Sequence, residues 1–455
     1  MGFFHPQSKS LGLALARRGL SHRANVSRFQ QTPYLSQKFY SSTTSPAGAK
    51  SDSFGALHGF KILDLTRILA GPFCTQILAD YGADVIKVEQ PGRGDDTRYW
   101  RTEGEGEKWK TDAISCYFAC VNRNKRSITL NLKSEKGREV LLELVKGSDV
   151  VIENFIPGKM DELGIGYDVL SKINPGIIHA SISGYGAEGP YAQRAGYDII
   201  AAAEGGLLHV TGEADGPPTK PGIGLTDLCT GLYMHGAIMA ALQARNRTGK
   251  GQKLDGSLFE TQLSLLINVA SSWLNMGQEA QRWGTAHPSI VPYEAFKTKD
   301  SYLVLGATND RQFGILAERM GRPDLASDER FLTNDSRVRN RSELNSILYD
   351  LFKAKTTGEW LDVFENSGMP YGPINSLERV FGHSQAHARE MVKSIDFDAA
   401  ADGVFKVTGF PVKFSNTEAS IRSNPPLLGE HTDDVLQELG FSQEKLAGLR
   451  REKVI

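Results

Sequence analysis

Between residues 60 and 183 the chain alternates short apolar runs with amphipathic stretches, a rhythm that few folds satisfy. Extended runs fall at 60–65, 83–88, 127–132, 150–154 and 177–183, and helical spacing at 71–80, 135–146 and 167–173. Strand, helix and strand within about thirty residues make parallel neighbours, because the helix carries the chain back over the sheet. The strand runs are apolar without alternation, as expected when both faces are covered. Helix 135–146 sets Val140, Leu141, Leu144 and Val145 on one face, the spacing of a helix docked on a sheet. The expected fold is α/β, with a large doubly wound parallel sheet.

Further along, the reading is a helix over 227–245 rich in Gly, Ala and Met, an extended run at 253–255 and one long amphipathic helix over 258–276. A stretch with little regular structure follows at 284–293. Residues 295–375 read as a smaller unit, with strands at 295–298 and 302–307 and helices near 309–320, 341–353 and 357–366. The tail returns to strands at 405–407 and 412–414, then two short helices. The expected domains are a large one from 57–260 and 380–455, and a smaller α/β one, 285–375, inserted into it.

The first fifty residues obey different rules. They carry Lys9, Arg17, Arg18, Arg23, Arg28, Lys38 and Lys50, with no acid before Asp52, and LGLALARRGL (11–20) can form a basic amphipathic helix. Basic, Ser-rich and acid-free composition marks a mitochondrial transit peptide and linker over 1–50, which directs the protein to the matrix. A disordered basic tail has the same composition. Loss of residues 1–40 takes six of the 52 cations and leaves 46 against 53 acids. The whole chain has a formal charge of −1, so no basic field calls for nucleic acid. No run approaches the roughly 20 apolar residues of a membrane span. Cys74, Cys116, Cys120 and Cys229 lack CxxC spacing and nearby His partners, so buried thiols are expected rather than a metal site.

Two motifs invite a functional reading. GYGAEG at 184–189 matches GxGxxG after a strand, but Pro190 follows at once, where the dinucleotide fingerprint needs a helix. A turn is the better reading. Asp227 stands between the loop 222–226 and a helix, the position of an N-cap. It has a second reading. Thr230-Gly231 and Gly236-Ala237 strip one helix face of side chains, which lets a backbone or a large ligand approach, and helix-end amides stabilise developing negative charge.

An ordered set of motifs favours the second. KILDLTRILAGP (61–72), GADVIKVE (82–89), NRNKRS (122–127), ENF (153–155), RAGYD (194–198), TDLCTGL (226–232), WGTAH (283–287), VPY (291–293), AFKTK (295–299), PYGPIN (370–375) and PLLGEHT (426–432) follow one another along the chain. Together they resemble the class III CoA-transferases and, within them, the mitochondrial succinate–hydroxymethylglutarate (succinate–glutarate) CoA-transferases. The resemblance implies a Rossmann-like fold, an interlocked homodimer and no permanently bound cofactor, with a coenzyme A thioester and a carboxylic acid as substrates. It carries Asp227 into the position of a nucleophile that forms an acyl anhydride and then an aspartyl-CoA thioester. A carboxylate suits this, because both intermediates keep the acyl group activated.

By the same resemblance CoA contacts fall on Leu69 and Ala70, on Leu130, Asn131, Leu132 and Lys133, on Asn154, Phe155 and Ile156, and on Ala195, Gly196, Tyr197 and Asp198. Lys133 either meets a phosphate or is a solvated lysine; Asn154 either bonds the pantetheine arm or closes a turn. Two departures stand out: Leu69 replaces a Gln of formyl-CoA transferases, and Gln90 replaces an Arg, so part of the phosphate grip must differ. A dicarboxylic acceptor leaves one carboxylate unreacted, which calls for a cation. Arg67, Arg282, His287 and Lys297 are the candidates, with His287 or Arg67 expected to bind the distal carboxylate. Two rivals remain: an α-methylacyl-CoA racemase, whose second acid/base, a His, is Tyr197 here, and a CoA-binding protein in which Asp227 only caps a helix.

Overall fold

Consecutive residues of the central strands point to opposite cores, and this organises the large sheet. Leu63, Ile86, Val88, Ile128 and Val151 enter one core, while Ile62, Val85, Val150 and Ile152 enter the other. The computed structural model of the chain describes residues 55–455, so the expected leader and linker lie outside the described residues. Six strands make the sheet: β1 (Lys61–Asp64), β2 (Asp84–Glu89), β3 (Lys125–Thr129), β4 (Val150–Glu153), β5 (Ile178–Ser183) and β6 (Gln252–Ser257). All pair in parallel, in the order β3-β2-β1-β4-β5-β6. This is a doubly wound α/β sheet, and its order reverses between β1 and β4, where such sheets open a crevice beyond the strand ends.

The first core also takes the helix Glu135–Lys146 and, from the far end of the chain, Val435, Leu436, Leu446 and Leu449. The helices Ala70–Asp80 and Leu225–Thr248 cover the other face. They pack closely because Gly231 has no side chain: a β-carbon there would stand 2.7 Å from the Ala70 carbonyl. Another backbone therefore fills the bare face at Gly231. Gly236 faces open space instead.

Residues 291–371 enclose an aromatic core of Phe296, Phe313, Phe331, Phe352, Trp360 and Phe364. Its antiparallel sheet holds β7 (Tyr293–Lys297), β8 (Tyr302–Gly306) and a short third strand, β9 (Tyr371–Pro373). At the tail β10 (Val392–Asp396) pairs with β11 (Val404–Thr408).

Of the thiols expected to be buried, Cys74 is, while Cys116 and Cys229 are half-buried and Cys120 is exposed. Three further expectations need correction. Residues 412–414 form no strand; Pro411 lacks a ladder donor, and the Phe414 ring packs on Tyr81 at 5.2 Å. The stretch 258–276 is two helices, Leu258–Leu265 and Ile267–Met276, broken where Ile267 takes φ 42°. The third concerns Asp227 and is described with the site. Among the described residues no helix is long and apolar enough to cross a membrane, and no cluster of three or more His, Cys, Asp or Glu side chains is arranged to hold a metal.

Charges buried beneath the strand ends shape the crevice. Asp64 accepts from Thr66 N (2.9 Å), Thr66 Oγ1 (2.5 Å), Thr75 Oγ1 (2.6 Å) and Lys125 Nζ (3.1 Å). Burial alone would raise its pKa, but Lys125, Lys87 and the hydroxyls more than offset that and hold it at about 2. Lys87 bonds the Thr66 carbonyl (2.8 Å) and Asp95 (3.0 Å), and Asp95 accepts from the Ile68 amide (3.2 Å). Glu89 binds Arg98 through two bonds, and Arg98 reaches the Pro426 carbonyl. Lys125→Met leaves Asp64 charged, buried and short of its cation. A loss of about 3–5 kcal/mol of stability is expected, measured by urea unfolding.

Candidate functional site

The turn after β1 is held in a conformation its sequence would not choose. Ile68 is β-branched yet takes φ 74°, and its amide is bonded to Asp95. Such strain persists only where surroundings over-determine it. Arg67 is pinned from the other side: its N–H donates to Asn154 Oδ1 (3.0 Å), and Asn154 Nδ2 donates to its carbonyl (2.8 Å). The Asn154 amide thus clamps the loop after β1 to the loop after β4, at the reversal of strand order.

A third loop closes the crevice through glycine. Gly184 and Gly196 lie face to face, and a β-carbon on Gly184 would sit 2.8 Å from Gly196 Cα. That contact seats residues 194–198 against the end of β5. The 184–189 motif opens no helix. It forms turns, with Gly186 and Gly189 at φ 93° and 90°.

These loops bound a cavity of about 410 Å³. Leu69, Ala70, Asn154, Phe155, Ile156, Ala195, Gly196 and Tyr197 line it, together with Arg67 and Asp227. A second lobe of about 260 Å³ opens over β1, β2 and β3, lined by Leu130, Asn131, Leu132, Lys133 and Gln90. Arg67, Phe155 and Lys159 border both. Arg282, His287 and Lys297 line neither lobe: Arg282 bonds the carbonyls of Glu213 and His209, and His287 Nδ1 accepts from the Ser289 amide.

Asp227 does not cap its helix. The N-cap is Gly224, and Asp227 lies in the first turn. The capping contact comes from elsewhere in the chain, because Asp198 Oδ1 accepts the Asp227 N–H at 3.1 Å. Among the described residues no donor bonds the Asp227 carboxylate, which borders the cavity. Burial and then the charge of Asp198 push its pKa up to about 7. The arrangement is a basic, unencumbered carboxylate at a helix N-terminus, open to a cavity large enough for an extended ligand.

Four residues near this crevice had not been singled out. Lys159 and Arg194 line the cavity. Trp100 and Tyr117 are exposed and stack edge to face at 5.7 Å. Burial and then the Asp227 carboxylate hold the Tyr117 hydroxyl above its usual pKa, which ties the aromatic pair to the site. A Trp and a Tyr left in solvent by a folded chain are the usual mark of a contact surface, but their exposure is a tertiary fact.

Fold and site together define an α/β protein with a carboxylate of raised pKa at the switch-point crevice. The profile described as CoA-transferase family III matches residues 57–432. An acyl-CoA transferase of Fusarium pseudograminearum is 56% identical, covering 91% of this chain and 92% of its own. A succinyl-CoA:glutarate CoA-transferase of Mus musculus is 49% identical over 85% of this chain and 87% of its own. The crystal structure of a CaiB/BaiF family protein from Brucella suis, 42% identical, covers 85% of this chain and 100% of that one with a TM-score of 0.74. The chain belongs to CoA-transferase family III and is a CoA-transferase.

The glycine contact is testable. Gly184→Ala is expected to cost about 1–3 kcal/mol through overpacking. It should also free residues 194–198, read as faster tryptic cleavage after Arg194.

Proposed function

We propose that this enzyme moves coenzyme A from succinyl-CoA, or a related acyl-CoA, to a dicarboxylic acid such as glutarate, 3-hydroxy-3-methylglutarate or itaconate, with Asp227 as nucleophile. The observation that carries the reading is a carboxylate with its pKa pushed up to about 7, bordering the cavity and bonded by no donor among the described residues. Desolvation that raises the pKa also makes the anion a stronger nucleophile. An Asp227 oxygen attacks the thioester carbonyl; the C–S bond breaks, CoA thiolate leaves, and a mixed anhydride remains. The thiolate then attacks the Asp227 carbonyl carbon, releasing the donor acid and forming an aspartyl-CoA thioester. The acceptor carboxylate attacks that thioester to give a second anhydride. The returning thiolate takes the new acyl group and frees Asp227.

In this reading the first lobe takes the pantetheine end, with Leu69, Ala70, Asn154, Phe155, Ile156, Ala195, Gly196 and Tyr197 as contacts. The second takes the nucleotide, along Leu130, Asn131, Leu132 and Lys133. Asp198 acts through Asp227, holding its amide and raising its basicity. The Trp100–Tyr117 pair walls the acyl side. The substrate pair is supported by the name of the murine relative. A racemase needs a second acid/base, and at that position Tyr197 offers a phenol in place of an imidazole.

The basic amino-terminal composition supports import into the mitochondrial matrix. Leu232, Tyr233, Leu263, Ile267, Trp273, Leu274 and Met276, all exposed on neighbouring helices, support burial of that face in an interlocked homodimer. The large domain over 57–260 and 380–455, with the smaller one at 285–375, completes the reading.

Mass spectrometry of the protein mixed with succinyl-CoA is expected to find a CoA-sized adduct on the Asp227 peptide, removed by hydroxylamine and absent in Asp227→Asn. An active enzyme with no adduct under rapid quench argues for another nucleophile. The pH profile gives a second check. The anion is the attacking form, so kcat/KM should rise as pH increases through about 7 and fall below it. Asp198→Asn removes a like charge, lowers the Asp227 pKa and should move that acid limb to lower pH. An unmoved limb would refute the coupling.

A further inference from the structure

Among the described residues two cations border both lobes of the cavity, Arg67 and Lys159. Arg67 Nη1 donates to Asp96 Oδ2 at 2.6 Å, which leaves its Nε and Nη2 without partners among the described residues. Lys159 Nζ donates to Glu162 Oε1, also at 2.6 Å, with two further protons to offer. Asp96 at the same time accepts Arg93 Nη2 at 2.8 Å, so a single carboxylate faces two guanidinium groups and the rim keeps a net positive charge. The Arg67 backbone is fixed by the Asn154 clamp, so its guanidinium projects from a rigid base.

An acyl-CoA is a thioester, a pantetheine arm, a diphosphate and a nucleotide, in that order. With the thioester at Asp227 in one lobe and the nucleotide in the other, the diphosphate falls where the lobes meet. Arg67 also leans toward Asp96, which follows β2, whereas Asp227 borders the first lobe and is not among the residues that line the second. A fork of N–H donors beside a flexible ammonium matches the acceptor pattern of two linked phosphates. Gln90, which also lines the second lobe, brings no charge to that task. We infer that Arg67 and Lys159 together hold the diphosphate of the CoA thioester, so that Arg67 does not read the distal carboxylate of the acid. The inference rests on the CoA-transfer reading above.

The test compares kcat/KM for three donors, succinyl-CoA, succinyl-3′-dephospho-CoA and succinyl-pantetheine, in the wild-type protein and in Arg67→Gln and Lys159→Gln. Both side chains are solvent-accessible, and a thermal melt checks that each variant is folded. In each variant the ratio of CoA to pantetheine donor is expected to fall about tenfold or more, the scale of one lost charge-assisted hydrogen bond. The ratio of CoA to dephospho-CoA donor should hold. An unchanged first ratio overturns the inference, and so does a fall in the second, which would place these cations on the 3′-phosphate. Loss of preference for dicarboxylic over monocarboxylic acceptors in Arg67→Gln, with the donor ratios intact, overturns it in favour of acid recognition. If calorimetry finds that the wild-type protein binds no CoA, the CoA-transfer reading itself fails.

Discussion

The contact between Asp64 and Lys125, out of water at the end of β1, sets the terms for the rest of the site. A carboxylate in that position is stable only with its cation and its three hydroxyl and amide bonds in place. Thr66 supplies two of those bonds, so the chain must turn immediately after the strand. Lys87, held by Asp95, takes the Thr66 carbonyl and tightens the same turn. The result is the left-handed Ile68 and a loop that presents Leu69 and Ala70 to the cavity. Hydrophobic burial builds the sheet. Buried charge decides what happens at its edge.

The same economy of contacts governs Asp227. A first-turn carboxylate would normally be drawn to helix-end amides and lose basicity. Here Asp198 occupies one of those amides and adds a like charge nearby, leaving the second carboxylate raised in pKa and without a donor among the described residues. Two acids of similar sequence context therefore differ in character. One is an acceptor, engaged and structural; the other is exposed to the cavity and basic.

Much of the fold was legible in order. The apolar runs at 60–65, 150–154 and 177–183 contain β1, β4 and β5, and 83–88 covers all of β2 but Glu89, because strands covered on both faces are largely apolar. The misreadings share a cause: signals too short or too local. Tyr371–Pro373 is three residues long, and it is a strand only because β8 lies beside it. Phe414 is apolar for a different reason, its docking on Tyr81. The break at Ile267 has no counterpart in the helical periodicity of 258–276.

By itself, the order of residues determined the α/β class, the parallel sheet, the family and the carboxylate worth watching, since periodicity and motif spacing are properties of the chain in one dimension. Tertiary structure alone decided which face of the 225–248 helix meets a backbone, that Asp198 rather than Asp227 serves as the helix-end acceptor, and that Arg67 and Lys159 stand where two lobes join. The physical reason is distance. Desolvation, charge repulsion and close packing depend on neighbours that lie 29 residues away in the Asp198–Asp227 pair and 61 in the Asp64–Lys125 pair. Those neighbours are chosen only when the sheet closes.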